Sequence, residues 1–344
     1  MSPSDECAPP ALPSASMAHE SRLTSTSQPI PVDPTRRRLL TGLAALAAAS
    51  GTGLLASCGK NSPETASPAA TIRAPDAGGR RLGARFADGY VAPTALVAET
   101  PQRAPYVLLD SDGWPMVDGA PDSMELTLRA LGSDGDPGEV ITSATVTRHG
   151  FGQATPYYPF RFTAPEPGDY VVDGSIDGVP LADVHYLRLA TPTDLDLVQV
   201  GDLLPIVATP TITEPLGVDP ICTSPNGPCD FHGLSLDQAA ARHGPTALLV
   251  STPGFCQQDV CSPTIGLLAD AVKNRQGQEA WSVVHAEVYV APEVGDFTLS
   301  PVGDALGLNF EPSLLVADAT GTVTAVIHFT MDAIEVAEAL ASAT

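Results

Sequence analysis

The spacing of apolar and polar positions divides the chain into two unlike regions. Between residues 82 and 189 the apolar side chains come in short alternating or β-rich runs, each stopped by a turn signal. These are Y-V-L-L before D-S-D-G, M-E-L-T-L-R-A-L before G-S-D-G-D-P-G, V-I-T-S-A-T-V before H-G-F-G, F-R-F-T before E-P-G, and D-Y-V-V-D-G. Successive side chains of a strand point to opposite faces, so this pattern predicts an all-β sandwich over residues 82–192. Tyr157, Tyr158, Phe160 and Phe162 form an aromatic cluster that suits a sandwich core or protected edge better than a binding face.

Residues 193–233 are proline-rich, with L-P-I-V-A-T-P-T-I-T-E-P-L-G, and read as an extended linker laid across or between domains. Beyond them the period changes. The apolar run 247–252 predicts a buried strand, and T-I-G-L-L-A-D-A-V-K-N-R places apolar residues at 265, 268, 271 and 272, a helical stripe. A strand over 281–290 follows, then an irregular stretch, two strands around Ala319-Thr320-Gly321, and a terminal amphipathic helix, M-D-A-I-E-V-A-E-A-L. The predicted class is multi-domain, an all-β sandwich followed by an α/β domain over 234–344. With 344 residues and 43% hydrophobic content the chain can build both cores, and its 34 prolines and 30 glycines leave length for linkers.

In the β region, E-P-G-D-Y-V-V resembles the penultimate strand of immunoglobulin-like folds, in which a tyrosine, here Tyr170, bonds upstream backbone at the sheet corner. Near the N-terminus, T-R-R-R-L-L-T-G begins at Thr35 and leads into a mildly apolar run over 39–55, ending L-A-S-C at Cys58. The pair Arg36 and Arg37 resembles a twin-arginine export signal, although Thr41 stands where a lysine is common. Leu55-Ala56-Ser57-Cys58 resembles a lipobox, whose cysteine is acylated after cleavage. A membrane-spanning helix is the weaker reading, because the run is at the short end of the roughly 17–25 residues a span needs and is broken by Gly42, Gly51 and Gly53. Residues 1–57 are thus expected to be a signal peptide, with Met17 an alternative start, and 58–81 a flexible tether. The resemblance implies a lipid-anchored protein on the extracytoplasmic face of a bacterial cell membrane. Export by the twin-arginine route would require folding in a reducing cytosol, without help from disulfides.

Charge narrows the partners. The first 57 residues hold four basic and four acidic side chains, so the whole net charge of −23 lies after them. Such a surface repels phosphate backbones, and no basic patch with interleaved aromatics offsets it, which disfavours nucleic-acid binding. No Ser-His-Asp order, metalloprotease motif, phosphate loop or dinucleotide fingerprint occurs, and no cofactor is implied. His149 and His185 are isolated from any second ligand in their domain.

The cysteines carry the remaining chemistry. Cys222 and Cys229 flank a Pro-Asn-Gly-Pro turn. In an oxidising compartment a structural disulfide is the plainer reading; metal ligation by Cys222, Cys229 and His232 is the sharper one, and it lacks a fourth ligand and zinc-type spacing. Cys256 and Cys261 lie in P-G-F-C-Q-Q-D-V-C-S-P, between a predicted strand and a predicted helix with Pro263 in its first turn.

The order strand, cysteine loop, helix, strand, proline-led hairpin, helix resembles the thioredoxin fold and its extracytoplasmic relatives over about residues 234–344. The resemblance implies a cis proline facing the cysteines, matched by Pro312 in Glu311-Pro312-Ser313, and thiol-disulfide exchange with envelope proteins through Cys256 and Cys261. The chain departs from the family in spacing: four residues separate Cys256 from Cys261 where the oxidoreductases have two. Five positions apart on a regular helix point well away from each other, so Cys256 is expected in the loop and Cys261 at the helix start. Asp259 opposes a thiolate there. Three readings remain for this loop: a redox-active dithiol, a structural disulfide in a redox-inert binding or scaffold domain, and copper ligation with His285 or His328, as in copper-delivering thioredoxin relatives. His285 and His328 are otherwise expected to be structural.

Overall fold

The alternating runs of the first region form eight strands: β1 (Arg81–Ala84), β2 (Gln102–Leu109), β3 (Ser123–Leu131), β4 (Pro137–Thr147), β5 (Tyr158–Phe162), β6 (Gly168–Ile176), β7 (Val179–Pro180) and β8 (His185–Leu189). The computed structural model describes residues 78–151, 153–256, 260–275, 281–308 and 310–343, all within one unit spanning 70–344. Arg36, Arg37, Cys58 and nearly all of the expected tether therefore lie outside the described residues. Among the described residues no helix is long and apolar enough to cross a membrane.

One sheet runs β1-β2-β5 and the other β4-β3-β6-β7, with β8 also paired to β6. The period of two decides what fills the space between them. Met124, Leu126 and Leu128 of β3, Tyr158, Phe160 and Phe162 of β5, and Leu187 and Leu189 of β8 all enter one core. Between them, Glu125, Tyr186 and Arg188 point outward. Each large apolar side chain withdrawn from water in this way contributes about 1.5–3 kcal/mol. At the corner, Tyr170 donates its phenolic hydrogen to the Glu166 carbonyl at 2.6 Å. This is the expected immunoglobulin-like feature, which ties the start of β6 to the turn before it.

The second region contains α1 (Leu236–Ala240), β9 (Thr246–Val250), α2 (Ser262–Lys273), β10 (Ser282–Ala286), β11 (Tyr289–Ala291), β12 (Asp296–Leu299), α3 (Pro301–Ala305), β13 (Ser313–Ala317), β14 (Val323–His328) and α4 (Ala333–Ala341). Its sheet has the order β10-β9-β13-β14. β10 is parallel to β9, whereas β13 runs antiparallel to both β9 and β14. Every residue of β9 and β13 is buried, as strands covered on both faces require. Leu248, Val250, Val284 and Leu315 pack with Leu236 of α1 and Val302 of α3 on one face. Ala247, Leu249, Leu314 and Val316 pack with Leu268 of α2 and Val336 and Leu340 of α4 on the other. The short hairpin β11–β12, within what the sequence reads as a strand end and an irregular stretch, is an addition to this plan.

The linker is not a free spacer. Leu197, Leu204 and Val207 pack into the α1 face of the sheet. Gly201 donates to the Val323 carbonyl at 2.8 Å, Val323 to Asp202 at 2.8 Å, and Leu204 to Gly321 at 2.9 Å. The second core therefore already draws on residues from about 197, within the expected linker.

A buried polar clamp joins the two regions. The Arg103 guanidinium of β2 makes a bidentate pair with Glu335 of α4, with Nε–Oε1 at 2.7 Å and Nη2–Oε2 at 2.5 Å. It also donates to the carbonyls of His328 and Thr330. Tyr157 and Arg161 complete the shell of the carboxylate, at 2.7 and 2.9 Å. Tyr157 is therefore the member of the aromatic cluster whose hydroxyl serves the junction. Nearby, Asp332 caps α4 and accepts from His149 at 3.0 Å and from the Gly150 amide at 2.9 Å.

Candidate functional site

Two cysteine clusters form at loops that follow β9 and precede α1, and they differ in kind. After β9 the chain turns tightly, with the amides of Phe255 and Cys256 both donating to the Thr252 carbonyl. Cys256 is half-buried, and Cys261 is fully buried at the N-cap of α2. The two are disulfide-bonded, with alpha carbons 5.9 Å apart, inside the range such a bond accepts. Cys256 in the loop and Cys261 at the helix start match the expectation drawn from their spacing. Asp259 lies outside the described residues.

The Glu311-Pro312 peptide is cis, as the family resemblance implied. One oxygen of the Glu311 carboxylate and both sulfurs lie within 4.8 Å of one another. Burial pushes this carboxyl up to about 7 even though Thr252 donates to it through its backbone amide. Beside the disulfide an aromatic rim is exposed: Phe255 meets Phe297 edge-on at 6.2 Å, and Phe297 meets Tyr289 at 5.3 Å.

The second cluster corrects the sequence reading. Cys222 and Cys229 are free thiols, not a disulfide. Their sulfurs approach Nδ1 of His285 at 3.8 and 3.4 Å, and Nε2 of His232 lies 3.0 Å from the same nitrogen. His285 reaches the cluster because β10 pairs in register with β9, opposite Leu249, on the face that also carries Val283. Its other nitrogen, Nε2, is held by the Ser251 hydroxyl at 3.0 Å and the Ser251 carbonyl at 3.1 Å. A hydrogen bond from Cys229 holds the Cys222 thiol far below its ordinary value against the opposing effect of burial, with further help from His232 and His285. Thr223 fixes the loop from behind by donating its amide to Glu287 at 2.6 Å. Burial pushes Glu287 itself up to about 8.

The fourth donor that the sequence lacked is therefore His285, 53 residues from His232. The same observation removes the copper arrangement considered for the other loop. His285 faces Cys222 and Cys229, while His328 bonds the Ser313 hydroxyl at 2.9 Å and packs edge-on against Phe310. Burial holds His328 down at about 3, so it stays neutral. Among the described residues, the group that joins Cys256 and Cys261 is Glu311. His149 and His185 each face a carboxylate, Asp332 and Asp88 respectively. A cavity of about 560 Å³ between β2, β5, β14 and α4 is lined by Arg103, Arg161 and Glu335 and contains none of the four cysteines.

No protein-family model and no curated protein sequence matches the chain. Solved structures align over part of the chain. The Lin-41 filamin domain is 15% identical and covers 34% of this chain and 98% of its own, with a TM-score of 0.21. The Escherichia coli adhesin FdeC is 17% identical over 39% of this chain, with a TM-score of 0.22, and the alignment spans 36% of FdeC. The PKD domain of the human receptor SorCS2 is 11% identical over 41% of this chain and 98% of its own, with a TM-score of 0.17.

Proposed function

We propose that the protein is a thioredoxin-like thiol-disulfide exchange protein of the bacterial envelope, anchored through Cys58 and acting on partner proteins through Cys256 and Cys261. The observation that carries this reading is the half-exposed Cys256 bonded to a buried Cys261 at the mouth of α2, with the Glu311 carboxyl beside both sulfurs. The strand order β10-β9-β13-β14 and the cis Pro312 support the family resemblance.

In the reduced protein the Cys256 thiolate attacks a partner disulfide, forming a mixed disulfide and releasing one partner thiolate. The partial positive charge at the N-terminus of α2 favours that thiolate. Cys261 then loses its proton to the Glu311 carboxylate and attacks the Cys256 sulfur. This closes the Cys256–Cys261 bond and releases the second partner thiol. Two electrons and two protons pass to the partner, and the reverse sequence oxidises a partner dithiol. Phe255, Tyr289 and Phe297 offer an apolar rest for an extended partner segment. The acidic surface argues against nucleic acid as a partner.

Equilibration of the full chain with graded thiol-disulfide buffers tests the reading. A midpoint less negative than about −300 mV is expected for an exchanging pair. A more negative value would leave a redox-silent, anchored scaffold. Independently, Cys261→Ser should accumulate mixed disulfides through Cys256 in envelope extracts.

A further inference from the structure

We propose that Cys222, Cys229, His232 and His285 hold one zinc ion in a closed tetrahedral site, independent of the exchange reaction. All four donor atoms lie within 4.8 Å of one another. A tetrahedral ion with bonds of about 2.3 Å to sulfur and 2.0–2.1 Å to nitrogen sets donor separations of roughly 3.6 Å for sulfur to nitrogen and 3.3 Å for nitrogen to nitrogen. The separations here are 3.8 and 3.4 Å for sulfur to nitrogen and 3.0 Å for nitrogen to nitrogen. The donors thus already stand close to metal-binding geometry.

Hydrogen bonding alone does not account for this convergence. With Nε2 of His285 donating to the Ser251 carbonyl, Nδ1 keeps a single lone pair. Three groups face that lone pair, the two sulfurs and Nε2 of His232, and only one of them can donate to it. An ion at the centre engages one lone pair from each donor. The contact from Nε2 of His285 to Ser251 is also the outer-shell bond that orients a ligating histidine. Two thiolates with two imidazoles in a tetrahedron select zinc among the common divalent ions, and four protein ligands leave no open coordination position. The site is accordingly structural. It binds the stretch before α1 to the end of β10, fixing Cys222, Cys229 and His232 to the second sheet.

Metal analysis of the full chain, purified in thiol-containing buffer, should find one zinc per chain that survives dialysis. Replacement by Co²⁺ should give the visible absorption of a tetrahedral thiolate site. The Cys222→Ser, Cys229→Ser double variant should lose the metal, while Cys256→Ser with Cys261→Ser should retain it. A misfolded first variant would also lose the metal, so the wild-type protein carries a second test: Cys222 and Cys229 should resist alkylation until a chelator is added. The proposal fails if the reduced wild-type chain takes up neither Zn²⁺ nor Co²⁺, if copper replaces zinc as the retained metal, or if the intact mass and peptide map show a Cys222–Cys229 disulfide.

Discussion

The two cysteine pairs have similar loop lengths and different fates, and the difference lies in what the fold brings to each. Cys256 and Cys261 meet a helix N-terminus and a carboxyl, with one sulfur half-exposed, and they are bonded to each other. Cys222 and Cys229 meet two buried imidazoles and remain thiols. A thiol pair near a helix end and an apolar rim is equipped to meet another protein. A thiol pair surrounded by nitrogen lone pairs is equipped to hold an ion. Cysteine spacing distinguishes these outcomes less well than the third and fourth groups in contact.

That contrast can be broken by substitution. The largest expected effect is from Cys256→Ser, which should abolish exchange outright in a disulfide-reduction assay while the zinc content stays at the wild-type level. Next comes a lesion far from both sulfur pairs. Glu335→Ala leaves the Arg103 guanidinium buried without its carboxylate and should cost about 3–5 kcal/mol in urea unfolding. It sharpens the comparison because it should lower the stability of both sites together, unlike either cysteine change. Ser251→Ala removes the hydroxyl on Nε2 of His285 and should weaken zinc binding about tenfold in a competition titration with a chelating dye, leaving the redox midpoint in place.

Two smaller effects depend on pH. In the proposed exchange Glu311 takes the Cys261 proton only when ionised, so the resolving step should accelerate as pH rises through about 7. Glu311→Gln should shift that inflection toward the ordinary thiol value of about 8.5, read by quenched-flow alkylation. At the junction of the two regions, the Asp332 carboxylate raises His149, so this residue's contribution is complete below its ordinary 6.5 and is lost as pH climbs through the raised value. Asp332 is held at about 2: burial works to raise it, but bonds from His149 and the Gly150 and Glu335 amides outweigh that. Its contribution is complete above the ordinary 3.8 and is lost as pH falls toward about 2. Thermal unfolding should therefore show this junction strongest between about pH 4 and 6.5, a window whose alkaline edge His149→Gln removes while the amides on Asp332 keep its acid edge.

Much of the architecture was legible because burial writes itself into alternation. Met124, Leu126 and Leu128 announce an amphipathic strand, and the unbroken apolar run of β9 a covered one. The short elements were not legible. α1 and α3 have five residues each, too few to show a helical period, and β11 and β12 are short and have no buried residue. The disulfide site could be read in part because Pro263 marks a helix start, which puts the loop and the helix end at known places. The imidazole-thiol cluster could not be read as a whole. Cys222, Cys229 and His232 are near neighbours in sequence, but His285 joins them only through the parallel register of β10 on β9. Its place in an alternating strand left its face to the register and gave no sign of its company. The Arg103–Glu335 clamp was likewise invisible, since its partners are 232 residues apart.

One small contact connects the two chemistries. The Thr223 side chain, next to Cys222, accepts the Gly254 amide at 3.0 Å, two residues before Cys256, and a side chain at Gly254 would collide with the Thr223 carbonyl at 2.8 Å. The Cys256 loop therefore leans on the Cys222 loop as on a backrest. A shift of the Cys222 loop would carry through Thr223 to the turn that positions Cys256.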